Sequence, residues 1–239
     1  MFKGFNNRQP NGFPNINFGG NYGSAYNFSR CLLWLDAAYG TSTIVNGANV
    51  SSWQDKINGV QYTQGTAGSQ PIYVSSDASF NNFPVIDFGD NLTKRLNSSI
   101  SFGLGSTTLA IIVRMTRTNE ITNSLIIGDG LQAGFSGAGA GVNVTGFGFY
   151  NGGTALTKSN VEDTSTHIVI ANRNFIIVDG VNQTSATSTL TQNFTSIGTT
   201  NGDSSPCCLI SEILIYDYIM GADDGIRLSD NINTKYLKY

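Results

Sequence analysis

The sequence feature that most constrains the fold is a hydrophobic run near the C-terminus, residues 208–218. The run is rich in β-branched and aromatic residues, which favour a strand. Strict alternation predicts one face with Ile210, Leu214, Tyr216 and Tyr218, and another with Leu209, Ile213 and Ile215. Because both faces are mostly apolar, we expect a central strand that is covered on both sides.

The hydrophobic run is followed by a change of period. Asp223 and Asp224 are acidic residues that suit the start of a helix, because they complement the positive end of its dipole. Residues at helical spacing then follow, namely Ala222, Ile226, Ser229, Ile232 and Tyr236. The sequence therefore predicts that the central strand leads into one short terminal helix.

Composition limits the classes of partner. Only 12% of the 239 residues are charged, which is about half of the usual share, and the net charge is −3. Nucleic acids and membrane surfaces favour basic patches, so neither is expected as a partner. No apolar run approaches the roughly 18 residues that indicate a membrane span.

Strand-like runs recur along the chain with turn signals between them, which is typical of a sandwich. Asn58-Gly59 and Asp179-Gly180 are expected turns, since both dipeptides favour positive φ. Residues 134–141 are interpreted as a glycine loop. The predicted strands are 31–36, 50–53, 72–74, 83–88 with a continuation at 92–96, 107–116, 124–127, 142–150, 166–172, 174–178 and 189–197. The residues expected to be buried in the core are Trp34, Trp53, Phe88, Ile112 and Leu214.

Residues 1–30 differ from the rest of the chain because their aromatic residues are separated by Asn, Gly and Pro without a regular period. Two interpretations stay open: a strap across its own domain, or an arm that inserts into a neighbouring subunit. The aromatic residues are Phe2, Phe5, Phe13, Phe18, Tyr22, Tyr26 and Phe28. The first four are the candidate docking residues of such an arm.

Five short motifs lie in the remainder of the chain: L-W-L-D-A at 33–37, V-S-S-W-Q-D-K at 50–56, F-P-V-I-D-F at 83–88, I-S-E-I-L-I-Y-D at 210–217 and K-Y-L at 235–237. Together they resemble the laminin-G-like domain of the concanavalin A-like lectin/glucanase superfamily. The resemblance implies an all-β, two-sheet antiparallel jelly-roll sandwich. This superfamily contains lectins, glycosidases, adhesins and virion proteins, so the motifs indicate fold more than function.

The domain organisation expected from these features is an arm at 1–30, a sandwich at 31–239 and a short C-terminal helix. In this fold the first and last strands are commonly neighbours, so Cys31 is expected near Cys207 and Cys208. We expect thiols, because three cysteines do not form an even set and residues 1–6 lead into no signal-peptide pattern. Synthesis and assembly are therefore expected in a host cytoplasm.

The enzyme hypothesis finds little support in the carboxylates. Glycosidases of the superfamily carry E-x-D-x-x-E on one strand, and none of Glu120, Glu162 and Glu212 lies in that pattern. Asp87 and Asp90 are interpreted as turn residues, and Glu212 as a structural hydrogen-bonding residue. No catalytic residue is therefore assigned.

Metal and histidine chemistry are also weakly indicated. His167 is interpreted as structural, and Cys207 and Cys208 lack a second pair at zinc spacing. Calcium stays open as a bound ion, since some related domains bind it. The aspartates in or beside loops are Asp36, Asp90, Asp129 and Asp203, but they form no oxygen-ligand pattern.

The expected function is structural and non-enzymatic: a bacteriophage virion protein, either a capsid-decorating or a head-fibre subunit. Its expected location is the virion surface, and its expected partners are a major capsid protein or fibre subunits and further copies of itself. The alternative is a carbohydrate-binding adhesin or tail-fibre module for host surface glycans, with sugar stacking on Tyr150. A glycosidase is the third hypothesis.

Overall fold

The computed structural model describes residues 30–89, 93–116, 124–128, 132–136, 146–151, 154–157, 164–184, 193–198 and 208–239. These residues form two antiparallel β-sheets and one C-terminal helix, so the predicted all-β sandwich is confirmed. No helix within the described ranges is long and apolar enough to cross a membrane.

The strands and the helix follow in chain order. They are β1 (Cys31–Asp36), β2 (Ser52–Gln54), β3 (Gln61–Thr63), β4 (Ile72–Asp77), β5 (Phe83–Asp87), β6 (Arg95–Gly103), β7 (Thr108–Met115), β8 (Ser124–Gly128), β9 (Gln132–Ser136), β10 (Gly146–Asn151), β11 (Thr154–Thr157), β12 (Thr166–Asn172), β13 (Phe175–Val178), β14 (Val181–Asn182), β15 (Asn193–Gly198), β16 (Cys208–Tyr216) and α1 (Ala222–Tyr236). Sequence patterns did not predict the short strands β3, β11 and β14, most of β6, or β9, whose end overlaps the expected glycine loop.

The last strand, β16, organises the first sheet. That sheet, called sheet A, has the order β14-β13-β12-β7-β16-β5-β4, and β1 also pairs with β16. β5 pairs with the first half of β16 and β1 with its second half, so both lie along the same edge. Sheet B has the order β11-β10-β9-β8-β15-β6-β3-β2. The expected pairing of the first and last strands is confirmed.

Sheet A is covered on both faces. Its inner face packs on sheet B through a hydrophobic core that includes Leu35, Ile111 and Ile213 from sheet A and Trp53 and Phe194 from sheet B. Its outer face packs under α1 in a second core. Every residue of β16 is buried, as its two apolar faces predicted.

A β-bulge at Ser211 changes which side chains of β16 share a face. The pairing of β16 with β7 passes from Ile210 directly to Glu212, so Ser211 is the extra residue. Ile210 therefore joins Ile213 on the inner face, and the faces predicted by strict alternation are wrong before the bulge. The corrected outer face carries Leu209, Leu214 and Tyr216.

The antiparallel register separates the cysteines. Cys31 pairs with Tyr216, whereas Cys208 lies at the opposite end of the nine-residue strand β16. At about 3.4 Å per residue, the two cysteines are roughly 27 Å apart. Their expected proximity is therefore wrong, although the strand order is right. Cys207 lies outside the described residues.

Two expected turns have the predicted backbone. Gly59 has φ +70°, and the Asp179-Gly180 turn between β13 and β14 has φ +50° and +76°. α1 then lies over β12 and β13, and Gly225 packs directly against Ile177 and Phe175 of β13. A Cβ atom there would lie 2.6 Å from Cδ1 of Ile177, so a larger residue would push the helix off the sheet.

Candidate functional site

The motifs that are far apart in the sequence meet on the outer face of sheet A. They contribute residues from β1, from the segment after β2, from β5, from β16 and from the end of α1. Their polar and aromatic side chains form one group that is held by hydrogen bonds, ion pairs and ring contacts, here called the motif network. Its members are Trp34, Asp36, Lys56, Phe83, Ser211, Glu212, Lys235 and Tyr236.

Glu212 is the centre of the motif network. It is only 5% exposed, and both of its carboxylate oxygens accept hydrogen bonds. Oε1 accepts from the Lys235 ammonium and, at 2.8 Å, from the Tyr236 hydroxyl, while Oε2 accepts from Trp34 Nε1 at 3.1 Å. A buried carboxylate is tolerated when a cation and further donors compensate its lost hydration, which is the arrangement here.

The bulge in β16 builds the position that the Tyr236 hydroxyl occupies. Because Ser211 is an extra residue, its side chain and that of Glu212 both reach Tyr236. The Ser211 and Tyr236 hydroxyls are 2.9 Å apart, and Ser211 Oγ also donates to the carbonyl of Pro84 at 2.9 Å. Burial and the neighbouring Glu212 carboxylate raise the pKa of Tyr236 well above its ordinary value. The hydroxyl therefore stays protonated and ties α1 to β16.

Asp36 and Lys56 form the second ion pair of the motif network. Lys56 Nζ is 3.0 Å from Asp36 Oδ2 and lies 4.0 Å from the centre of the Trp34 ring. Asp36 Oδ1 accepts from the backbone N–H of Ala38 at 2.9 Å. The cation is thus held between a carboxylate and an aromatic face, where a lysine side chain is well stabilised.

Trp34 was expected to be buried in the core, and the structure corrects this. It is only partly buried, because it lies on the outer face of β1 between Lys56 and the Glu212 carboxylate. The other core residues that were expected to be buried are buried: Trp53, Phe88, Ile112 and Leu214.

The motif at residues 50–56 holds β1 from the side. Asp55 Oδ1 accepts from the backbone N–H of Trp34 at 2.5 Å, and Asp55 Oδ2 accepts from the N–H of Asn58 at 2.6 Å. Trp53 Nε1 donates to the carbonyl of Asp36 at 3.0 Å. The segment after β2 therefore acts as a bracket that fixes the position of β1.

A glycosidase site requires a pair of carboxylates, and the structure places two carboxylates opposite each other on neighbouring strands. Asp36 and Glu212 are direct partners in the pairing of β1 and β16. Each is nearly buried, and each is matched by its own lysine. A substrate or an activated water molecule would have to displace those lysines. The geometry therefore favours a structural role for both groups, as expected for Glu212.

The remaining sequence candidates are dispersed. Asp87 Oδ1 accepts from the N–H of Gly89 at 2.7 Å, which is the turn role expected of it. His167 Nδ1 lies 2.6 Å from Asp179 Oδ2 at the β13–β14 turn, a structural contact. Among the described residues, no group of three or more His, Cys, Asp or Glu could hold a metal ion. Asp90, Glu120, Asp129, Glu162 and Asp203 lie outside the described residues.

The candidate binding residues are only partly placed. Phe2, Phe5, Phe13 and Phe18 lie outside the described residues, and of Tyr150 only the backbone, in β10 between β9 and β11, is described. The point where residues 1–29 join the sandwich is described. Arg30 Nε is 2.5 Å from Asp217 Oδ1, and its guanidinium lies 4.3 Å from the centre of the Tyr218 ring.

The motif residues could be identified from the sequence, but their assembly into one network could not be predicted from it. The sequence did contain a signal, since every motif includes a polar or aromatic residue that belongs to the motif network. Motif spacing alone does not say which residues of different strands face each other. That information comes from the strand register and from the bulge at Ser211.

No protein-family model and no curated protein sequence matches this chain. Among solved structures, domain 4 of AbnA, a GH43 extracellular arabinanase from Geobacillus stearothermophilus in complex with arabinotriose, matches with a TM-score of 0.54 at 12% identity. The match covers 77% of this chain and 100% of that one.

Two further structures match only in part of their length. The binding domain of Paraclostridial Mosquitocidal Protein 1 has a TM-score of 0.52 at 12% identity over 84% of this chain and 52% of that one. An arabinofuranosidase complexed with arabinofuranosyl-alpha-1,2-xylobiose has a TM-score of 0.50 at 12% identity over 79% and 51%. This chain thus spans about half of each of those two chains. At such identities the likenesses show a shared β-sandwich fold.

Proposed function

We propose that this chain is a non-enzymatic structural protein of a bacteriophage virion, a capsid-decorating or head-fibre subunit that attaches through residues 1–30. The observation that carries the proposal is the anchored start of the sandwich at Arg30. An aromatic segment that joins a rigid domain at a fixed point is suited to hold that domain on a larger assembly.

Several contacts hold Arg30 in place at the junction between the arm and the sandwich. The Arg30 side chain pairs with Asp217 and stacks on Tyr218, and the carbonyl of Arg30 accepts from the N–H of Asp217 at 3.0 Å. β1 begins at the next residue and pairs with the central strand β16. A load on the arm would therefore pass directly into the middle of sheet A.

A non-enzymatic role is supported by the motif network. The laminin-G-like motifs are the part of the sequence that resembles a known family, and their polar groups are engaged with one another. Asp36 and Glu212, the carboxylates that face each other, are 6% and 5% exposed. The virion assignment itself rests on the sequence: the laminin-G-like resemblance, the low charge and the aromatic arm.

The arm can be tested by incorporation into particles. Deletion of residues 1–28 should leave a folded sandwich that is absent from purified phage particles, as measured by mass spectrometry of the particle fraction. A matched variant keeps the length of the arm and replaces Phe2, Phe5, Phe13 and Phe18 with serine. If either variant incorporates like the full chain while its thermal unfolding is unchanged, the docking role is wrong.

The second candidate function is carbohydrate binding by an adhesin or tail-fibre module. The observation that favours it is the likeness, over the whole length of that chain, to an arabinanase domain whose structure was determined with arabinotriose. Exposed aromatic rings are the usual stacking surface for sugars. Tyr39 is exposed beside Lys56, whose Nζ lies 5.4 Å from the centre of the ring, so it joins Tyr150 as a candidate.

A glycan array followed by calorimetry separates the two candidates. Binding of a defined sugar with a dissociation constant below about 1 mM, about −4 kcal/mol, would favour the adhesin. Tyr39→Ala and Tyr150→Ala then test which ring contributes, with Tyr239→Ala as a control for an exposed ring elsewhere. Hydrolysis of a sugar that is lost in Glu212→Gln would instead support a glycosidase.

A further inference from the structure

Tyr39 is an exposed aromatic residue beside the motif network, on a turn that directly follows β1. It is 46% exposed, yet the backbone that carries its ring is fixed. The N–H of Tyr39 donates to the carbonyl of Asp36 at 2.8 Å, and the two residues also form an isolated antiparallel bridge. A ligand that stacks on this ring therefore meets a surface whose backbone is already ordered, which lowers the entropy cost of binding.

Gly40 fixes the other side of the turn. Its backbone has φ +73°, and its carbonyl accepts from the N–H of Gln54, the last residue of β2, at 2.9 Å. A Cβ atom at this position would lie only 2.5 Å from the carbonyl oxygen of Gln54, so glycine is required for this close approach. The turn is thus joined to β1 and to β2, and Tyr39 lies between the two attachments.

Lys56 places hydrogen-bond donors beside the Tyr39 ring. Its Nζ lies 5.4 Å from the centre of that ring and 4.0 Å from the centre of the Trp34 ring. An ammonium has three N–H donors, and Asp36 Oδ2 accepts one of them at 3.0 Å. The arrangement therefore combines an exposed apolar ring with a donor group that is held close to it.

We propose that Tyr39 and Lys56 bind an uncharged oligosaccharide, with the C–H face of one sugar on the Tyr39 ring and a hydroxyl of that sugar accepting from Lys56. A sugar has both kinds of surface that this arrangement can bind, because its ring carbons present C–H groups and its rim presents hydroxyls. The inference rests on the second candidate function, carbohydrate binding, and names the site and the class of sugar.

The size of the exposed surface favours a sugar over a protein partner. A stable protein interface buries roughly 800 Å² per partner and is centred on several buried anchors. The Tyr39 ring and its polar neighbours offer far less than that. A single sugar is about as large as an aromatic ring, so it covers the exposed face of Tyr39 and keeps its own hydroxyls in water.

The charges around Lys56 favour an uncharged sugar over an acidic one. Asp36 is 6% exposed, and its Oδ1 accepts from the N–H of Ala38 at 2.9 Å, so its carboxylate is fixed beside the ammonium. The carboxylate of a uronate or a sialate bound to Lys56 would lie near Asp36, where like charges repel. Residues 37–54, which carry the turn, contain no second cation that could offset this repulsion.

The first test compares an uncharged sugar with its acidic counterpart on the full chain. A glycan array of neutral, uronate and sialylated oligosaccharides identifies the strongest neutral ligand. Calorimetry then measures that oligosaccharide and the same oligosaccharide with its primary hydroxyls oxidised to carboxylates. We expect the acidic form to bind at least about tenfold more weakly. In Asp36→Asn, which keeps the shape of the side chain but removes its charge, the difference should shrink to less than about threefold.

The second test locates the ligand on the protein. Tyr39→Ala should raise the dissociation constant of the neutral sugar at least about tenfold. Tyr239→Ala, at an exposed ring elsewhere, is the control and should change it less than about twofold. Thermal unfolding of each variant shows whether the fold is retained, and the comparison of the two sugars on the wild type does not depend on any variant.

The outcomes separate this site from the function on which it rests. Binding that is kept in Tyr39→Ala but lost in Tyr150→Ala would overturn the site and leave carbohydrate binding standing. An acidic sugar that binds as tightly as the neutral one, or a difference that persists in folded Asp36→Asn, would overturn the class of sugar or its electrostatic cause. The absence of any neutral ligand on the array would overturn both the site and the carbohydrate-binding candidate.

Discussion

The two faces of β16 are buried in different ways. The inner face carries Ile210, Ile213 and Ile215, which pack against aliphatic and aromatic side chains of both sheets. The outer face combines apolar side chains with Glu212 and with Ser211, whose hydroxyl bonds to the end of α1. β16 therefore contributes to the apolar core on its inner face and to the motif network on its outer face.

The difference separates stability from specificity. Apolar burial is non-directional and roughly proportional to area, so the inner face stabilises the stacking of the sheets without fixing the position of each residue. Hydrogen bonds and ion pairs are directional, so the outer face fixes where Tyr236 and Lys235 must lie. The bulge at Ser211 contributes to this specificity, because it gives Tyr236 two hydrogen-bond partners instead of one.

The largest expected effects come from removing apolar volume on either face. Ile213→Ala on the inner face and Leu214→Ala on the outer face should each lower the free energy of unfolding by about 2–5 kcal/mol, through lost transfer energy and a cavity. Both residues are at most 1% exposed. Denaturant unfolding measures both. A loss under about 1 kcal/mol at Leu214 alone would show that the outer core repacks under α1.

The next largest effect is expected at the centre of the polar network. Glu212→Gln keeps the shape but removes the charge that matches Lys235, so the free energy of unfolding should fall by about 1–3 kcal/mol. The control is Asp217→Asn, which breaks the exposed pair with Arg30 and should cost less than about 1 kcal/mol. Equal losses in the two variants would mean that burial does not distinguish these ion pairs.

A smaller, pH-dependent effect is expected for Tyr236→Phe, which removes both hydroxyl contacts and should cost about 1–2 kcal/mol at neutral pH. The pKa of Tyr236 is raised in the folded protein, so the unfolded chain ionises first, near pH 10. Folding stability of the wild type should therefore fall as the pH rises above about 10. The difference between wild type and variant should shrink there. A difference that does not depend on pH would contradict the assigned environment.

The last expected effect concerns the reactivity of Cys31 and does not change stability. Cys31 belongs to the outer core and is 5% exposed. Burial raises the pKa of its thiol from 9.0 to about 12. In the folded protein a thiol reagent near pH 9 should therefore modify Cys31 only as fast as the chain unfolds, which peptide mass spectrometry can follow. Rapid modification without denaturant would show that the outer face opens locally near β1.

Much of the fold could be predicted from local pattern. The run at 208–218 predicted a strand buried on both faces, and the acidic start with helical spacing predicted α1, because hydrophobic period is a local property. Asn58-Gly59 and Asp179-Gly180 predicted turns for the same reason, since the φ preference of each residue is set by its own side chain. The motifs also named most residues of the network before their contacts were known.

Register and contact were decided only by the tertiary structure. A single inserted residue, Ser211, reverses the faces of Leu209 and Ile210, and no local propensity marks it. The antiparallel pairing of β1 with β16 places Cys31 and Cys208 at opposite ends of one strand. The exposure of Tyr39 likewise follows from backbone bonds that join its turn to Asp36 and Gln54. The sequence by itself determines which segments are strands and which must be buried. Their partners depend on residues distant in the chain, because pairing energy is shared between strands.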